Sequence, residues 1–162
     1  MTSAGTGGTI AGISSFLKEM NPDIRTYLID PHGSALYDYW FEKKLTTHGN
    51  SMIEGIGIGR ITNNFSAAKI DHAFRGSDRE AVEMAYYLLR EEGLFVGPSA
   101  ALNVVGAVKA ARRLGPGKVV VTILCDSGER YMSKLYNDEF LRKEGLVPED
   151  RHRESKLVEF VE

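Results

Sequence analysis

The sequence predicts an α/β fold, a mostly parallel sheet with helices on both faces, on three observations. Helix-period and strand-period segments alternate along the chain. The run KVVVTILCD at 118–126 is apolar at nearly every position, as in a parallel strand covered on both faces. A glycine-rich turn, GTGGT at 5–9, opens directly into a helix.

Residues 8–20 read as that helix, with Ile10, Ile13, Phe16 and Leu17 on one face and Asn21-Pro22 as the stop. IRTYLID (24–30) is a short strand closed by Asp30-Pro31. Residues 31–44 start as a turn and become a helix carrying Leu36, Tyr39 and Trp40, and MIEGIGIGRITNNF (52–65) is an irregular glycine-rich connection. IDHAFRGSD (70–78) is a strand leading into a helix. Ser77 with Glu80 three residues on makes a capping box, and Ala81, Val82, Ala85, Leu88 and Leu89 form the apolar stripe. Gly93 ends that helix, LFVG (94–97) is a short buried strand, and 99–114 is a helix stopped by GPG at 115–117. The strand at 118–126 follows. From Val147 the chain turns aperiodic and charge-rich, which predicts an α/β unit over 1–146 and a mobile tail over 147–162.

A chain of 162 residues is one ordinary domain with room for a core. Its formal charge of −2 offers no basic excess for nucleic-acid phosphates. The single cysteine, Cys125, excludes an internal disulfide and fits a reducing compartment. No apolar run approaches the ~20 residues of a membrane span, and there is no signal-peptide pattern. A cytoplasmic protein is the expectation, with no nucleic-acid or membrane partner.

Four stretches carry chemistry. In GTGGT, glycines allow successive N–H groups to turn inward, and the helix that follows adds unpaired donors and a positive dipole end. Thr6 and Thr9 add hydroxyls, and the whole suits a phosphate monoester. A ligand-free turn and a dinucleotide loop remain alternatives. Asp30 stands where a ribose-binding acid would, but Ile10 occupies the third small position of G-x-G-x-x-G. CDSGER (125–130) places Ser127 beyond the end of the most apolar strand, as a ligand contact or a helix N-cap. EGIGIG (54–59) brings Gly55 and Gly57 backbone close to a flat ligand or to another segment. GPSAALN (97–103) is a strand end meeting a helix start. One ligand at a single sheet edge explains all four together. The histidines lack metal-ligand spacing, and Cys125 reads as a small buried residue at a strand end.

Together these motifs resemble the fold-type-II pyridoxal-phosphate enzymes (tryptophan synthase β-like), specifically the cysteine synthase and cystathionine β-synthase family. The likeness runs through SAGTGGTIAGISSFLK, YLIDPHGSALY, NSMIEGIGIGRITNNF, AFRGSDREAVEMAYYLLREEGLFVGPSAALNVVGA and LGPGKVVVTILCDSGERYMSKLYND, covering 3 to about 146. DSGERY with EGIG is closer to the cysteine synthases, whereas YMSKLYND is also similar to cystathionine β-synthases.

The resemblance implies pyridoxal 5'-phosphate as cofactor, with Gly5, Thr6, Gly7, Gly8 and Thr9 as its phosphate cup and Ser127 on the pyridine nitrogen. A neutral hydroxyl there leaves the ring a milder electron sink than an aspartate would, which favours β-elimination. Gly55 and Gly57 match the loop beside cofactor and substrate. Ser99 falls near the Gly-x-Ser-Ser segment, from which Pro98 and Ala100 depart. The implied reaction is β-replacement on a small amino acid, O-acetylserine plus sulfide, or serine plus homocysteine in the cystathionine β-synthase alternative, by a homodimer. In that family the Schiff-base lysine and the Ser/Thr-x-Asn loop precede the phosphate cup by a long stretch, and this chain has neither. The expectation is therefore the C-terminal portion of such an enzyme, inactive alone, or a remnant that binds a phosphate ligand or a partner.

Overall fold

A computed structural model describes residues 1–149 and 158–162. Helix α1 spans Gly8–Met20 and strand β1 spans Tyr27–Pro31. Helices α2 (Leu36–Glu42) and α3 (Asn63–Ser66) follow, then strand β2 (His72–Gly76) and helices α4 (Asp78–Glu91) and α5 (Pro98–Leu114). A 3-10 turn at Gly128–Tyr131 and helix α6 (Asp138–Lys143) complete the order.

β1 and β2 pair in parallel from Tyr27↔His72 to Pro31↔Gly76. Successive strand residues point to opposite faces, and both faces are covered. Leu28 and Ala73 pack with Ile10, Leu36 and Phe65 from α1, α2 and α3. Ile29 points the other way, into the larger core that Met84, Ala85, Ala101, Leu102 and Val105 build between α4 and α5. Gly106 lets α5 lie this close: a Cβ there would stand 2.9 Å from the Ile29 Cβ. The capping box forms as its spacing predicts. Glu80 N–H donates to Ser77 Oγ at 3.2 Å, and Ser77 N–H donates to Glu80 Oε2 at 2.8 Å.

The structure corrects two of the expectations. Residues 118–126 form no strand, and Val119 and Val121 are 91% and 72% exposed. The run lies beside residues 1–4, which are themselves bridged to β1: Thr2 N–H donates to Tyr27 O, and Ile29 N–H to Thr2 O. The Met1 ammonium donates to Val121 O at 2.9 Å. Among the described residues no N–H of 119–124 finds a partner. LFVG likewise reduces to one antiparallel bridge, Val96 with Ser127, and Leu94 is exposed. Of the tail expected over 147–162, residues 150–157 lie outside the described residues. Residues 158–162 are docked rather than loose. Val161 is 1% exposed, the Arg112 guanidinium donates to Val158 O and Val161 O, and Glu162 N–H donates to Glu80 Oε1 at 3.0 Å.

Candidate active site

The GTGGT loop lines an open cavity of about 540 Å3. Its conformation rests on glycine at two points. Gly7 is the N-cap of α1 with φ 84°, and a Cβ there would lie 2.7 Å from the Phe65 backbone. Gly5 would bring a Cβ within 2.4 Å of Gly55 O, so the two glycine loops touch through bare backbone. Gly57 N–H donates to Ala4 O at 3.0 Å, and Thr62 Oγ1 donates to Thr6 O at 2.6 Å. The loop is thus pinned from both sides while Thr6, Gly8 and Thr9 stay exposed.

α1 begins its internal ladder at Ala11 N–H, which donates to Gly7 O, so the N–H groups of Gly8, Thr9 and Ile10 are left over. Neither α1 nor α5 carries an acidic residue in its first turn, and both open on this cavity, α5 through the buried Ser99. Two positive dipole ends and spare donors make this end anion-accepting.

The rest of the lining carries two carboxylates. Glu54, Gly55 and Ile56 belong to it together with Cys125, Asp126 and Tyr131. The Tyr131 hydroxyl donates to Asp126 Oδ2 at 2.7 Å, and that bond, with burial, pushes the phenol up to about 12. Lys134 pairs with Glu54 across the rim. Cys125, expected buried, is exposed, because the segment carrying it has no strand neighbour on that side.

Of the residues singled out from sequence, Gly5 to Thr9, Gly55 and Ser99 line this one cavity. Gly57 does not. It sits behind the loop, where a Cβ would meet Pro31 at 2.8 Å. Ser127 lies outside the lining too, one residue beyond Asp126, and its hydroxyl donates to Glu129. It is the N-cap position of the 3-10 turn without making a side-chain cap bond.

Asn103 escaped the sequence reading. Fully buried, it accepts from Ser3 N–H at 2.7 Å and donates to Ile123 O at 2.9 Å and Cys125 Sγ at 3.4 Å. It ties Ser3, just before the glycine loop, to the segment at 123–125. The available signal was a polar amide within the apolar face of 99–106.

A cofactor phosphate fits the loop end, where the two glycines leave backbone bare and donors lack partners. The cavity volume lies within the ~300–1,000 Å3 usual for ligand sites. No lysine lines it among the described residues.

Comparison with known proteins agrees with this chemistry. The model of the family described as pyridoxal-phosphate dependent enzymes matches residues 1–126. A cysteine synthase of Dictyostelium discoideum is 50% identical over 162 residues, covering 93% of this chain and 42% of the relative. Cysteine synthase 2 of Schizosaccharomyces pombe is 49% identical over 159 residues, covering 90% and 40%. Among solved structures, the O-acetylserine dependent cystathionine beta-synthase from Helicobacter pylori superposes with TM-score 0.74 at 38% identity, over 82% of this chain and 41% of that one. The chain therefore spans about two-fifths of the length of these relatives.

Proposed function

We propose, from the premise that the chain belongs to the pyridoxal-phosphate dependent enzyme family, that it forms the phosphate-holding side of a cysteine synthase-like β-replacement enzyme. The whole protein would act on O-acetylserine and sulfide. The observation that carries this reading is the glycine loop, held open on a cavity at the unpaired end of α1.

Bound there, pyridoxal phosphate supplies the electron sink that labilises the β-substituent of an amino acid. This chain's residues hold and orient it. The N–H groups of Gly8, Thr9 and Ile10 and the hydroxyls of Thr6 and Thr9 bind the phosphate dianion, and Gly5 and Gly7 keep side chains out of its way. Gly55 and Gly57 shape the loop beside the ring, Gly55 within the cavity and Gly57 behind it. Ser99 adds a hydroxyl at the mouth of α5. Ser127, whose hydroxyl donates to Glu129, would be the neutral partner for the pyridine nitrogen, and a hydroxyl would not hold that nitrogen protonated. With no lysine on the cavity wall among the described residues, the chain binds without turning over.

Titrating the chain with pyridoxal phosphate and with pyridoxal tests the reading. Binding that depends on the phosphate, and falls at least ~10-fold in Gly7→Ala, is expected. Equal binding of the two compounds would overturn it.

The solved relative is an O-acetylserine dependent cystathionine beta-synthase, which favours homocysteine as the alternative acceptor. Supplying sulfide or homocysteine to the complete protein separates the two. Homodimerisation and a cytoplasmic location of that protein belong to the same proposal, as does an α/β cofactor unit ending near residue 146. Among the described residues no helix is long and apolar enough to cross a membrane.

A further inference from the structure

Between β1 and α2 the chain makes a turn that carries a buried carboxyl and a buried hydroxyl, Asp30 at 0% exposure and Ser34 at 1%. Asp30 Oδ2 accepts the Tyr37 N–H at 2.8 Å, while its Oδ1 has no hydrogen-bond partner among the described residues. Ser34 grips the glycine loop. Its Oγ accepts the Ile58 N–H at 3.0 Å and donates to Ile58 O at 3.2 Å, and the Ala35 N–H donates to the same carbonyl at 2.9 Å. One residue earlier, Gly57 N–H donates to Ala4 O, and a Cβ at Gly57 would lie 3.2 Å from the Ser34 Cβ. The turn, the glycine loop and the start of the phosphate-accepting loop are thus joined in series.

The Ser34 hydroxyl has a single proton and two acceptors within reach. It donates to Ile58 O, yet Ser34 also stands close enough to Asp30 to favour its ionised form. The charged groups around Asp30 are largely engaged elsewhere. Arg75 of β2, its register partner, favours the carboxylate, but the guanidinium Nη2 holds Asp38 Oδ1 of α2 at 2.7 Å. His48 faces Asp38 at 3.6 Å with 62% of its side chain exposed, and Lys109 of α5 binds the Arg75 carbonyl and Glu80. Lys18 of α1 is paired with Asp71 ahead of β2, and α3 has no titratable residue. A carboxylate formed at Asp30 must either draw the Ser34 proton off Ile58 or reach water, and both loosen the loop.

We infer that Ser34 and Asp30 are positioning residues for the cavity, holding the glycine loop at 55–58 against the phosphate-accepting loop with a grip that slackens as pH rises. The cause is linkage. Burial pushes the Asp30 carboxyl up to about 6 in the closed arrangement, against 3.8 where water reaches it. An opening that exposes Asp30 is therefore rarest at low pH, grows through that interval and levels off above it. At neutral pH the segment carrying Gly55 opens more often, which gives a ligand a way in beside the phosphate-accepting loop. The inference rests on the cofactor reading only for what enters there.

The test is amide exchange of the 162-residue chain without pyridoxal phosphate, corrected for the intrinsic pH dependence of exchange. Protection of the Ala35, Gly57 and Ile58 amides is expected to fall at least ~10-fold from about pH 4 to about pH 6.5. That exchange is expected to be insensitive to dilute urea, as a local opening requires. Asp30→Asn cannot ionise and still accepts from Tyr37 N–H, so the step is expected to vanish. Ser34→Ala is expected to lower Ile58 protection at least ~10-fold at about pH 4 while the amides of α5 keep theirs. A flat parent profile, a step that survives Asp30→Asn, a loop whose exchange follows α5 in urea, or intact protection in Ser34→Ala would each overturn the inference. These readouts involve no cofactor, so they fail independently of the comparison between pyridoxal phosphate and pyridoxal.

Discussion

At Gly7 one methyl group decides whether the loop keeps its shape. Gly7→Ala is expected to cost about 1–3 kcal/mol, because φ is positive and the Cβ meets Phe65 backbone. Gly12→Ala, at the fifth residue of α1 with nothing near its Cβ, is expected to stabilise by about 0.5–1 kcal/mol. Denaturant titration of the pair distinguishes the conformational demand of the loop from a general glycine effect. Asn103→Ala strands Ser3 N–H and Ile123 O and is expected to cost about 1–3 kcal/mol by the same measurement. Asp30 gives a pH signature. Burial at 0% exposure is the main cause that pushes its carboxyl up to about 6, while Ser34, the Tyr37 N–H and Arg75 oppose it. The folded protein thus keeps a proton there that the unfolded chain loses near 3.8. Stability attributable to Asp30 is present at low pH and falls as pH rises through that interval, by about 3 kcal/mol. Asp30→Asn, which still accepts from Tyr37 N–H, is expected to flatten that fall in melting temperature.

Helices were legible because their signals are local. The Ser77–Glu80 spacing, the proline opening α5 and the glycine at 115 mark their ends within a few residues of the sequence. Ser77→Ala is expected to cost about 1 kcal/mol, and Glu80→Ala more, because it also strips the partially buried Lys109 of its 2.8 Å partner and releases Glu162 N–H. Strand 118–126 was misread for a physical reason. A run of valines reports that a segment suits burial in a sheet, but a strand exists only when neighbouring backbones supply its ladder. Neighbours are set by distant sequence. For the same reason Cys125 was read as buried although it is exposed, while the conformation of the glycine loop, which is local, shows in its left-handed Gly7. The role of Asn103 was not legible because its three partners, Ser3, Ile123 and Cys125, lie 20 or more residues away in sequence.

For the whole molecule, spanning two-fifths of its relatives' length has a kinetic consequence. Among the described residues no lysine lines the cavity, and a nucleophilic amine must be positioned and desolvated to act at neutral pH. Turnover of O-acetylserine with sulfide is expected to be undetectable for the chain alone. Borohydride fixation of stoichiometric pyridoxal phosphate on one mapped lysine, together with turnover, would contradict this. The placement of Cys125 makes occupancy directly measurable. The sequence holds one thiol, and it faces the cavity that the glycine loop lines. A disulfide reagent therefore modifies a single site, and the colour it releases acts as a clock for solvent access to that wall. Inorganic phosphate is expected to leave the clock running, whereas pyridoxal phosphate, which adds a ring to the same phosphate, is expected to slow it several-fold.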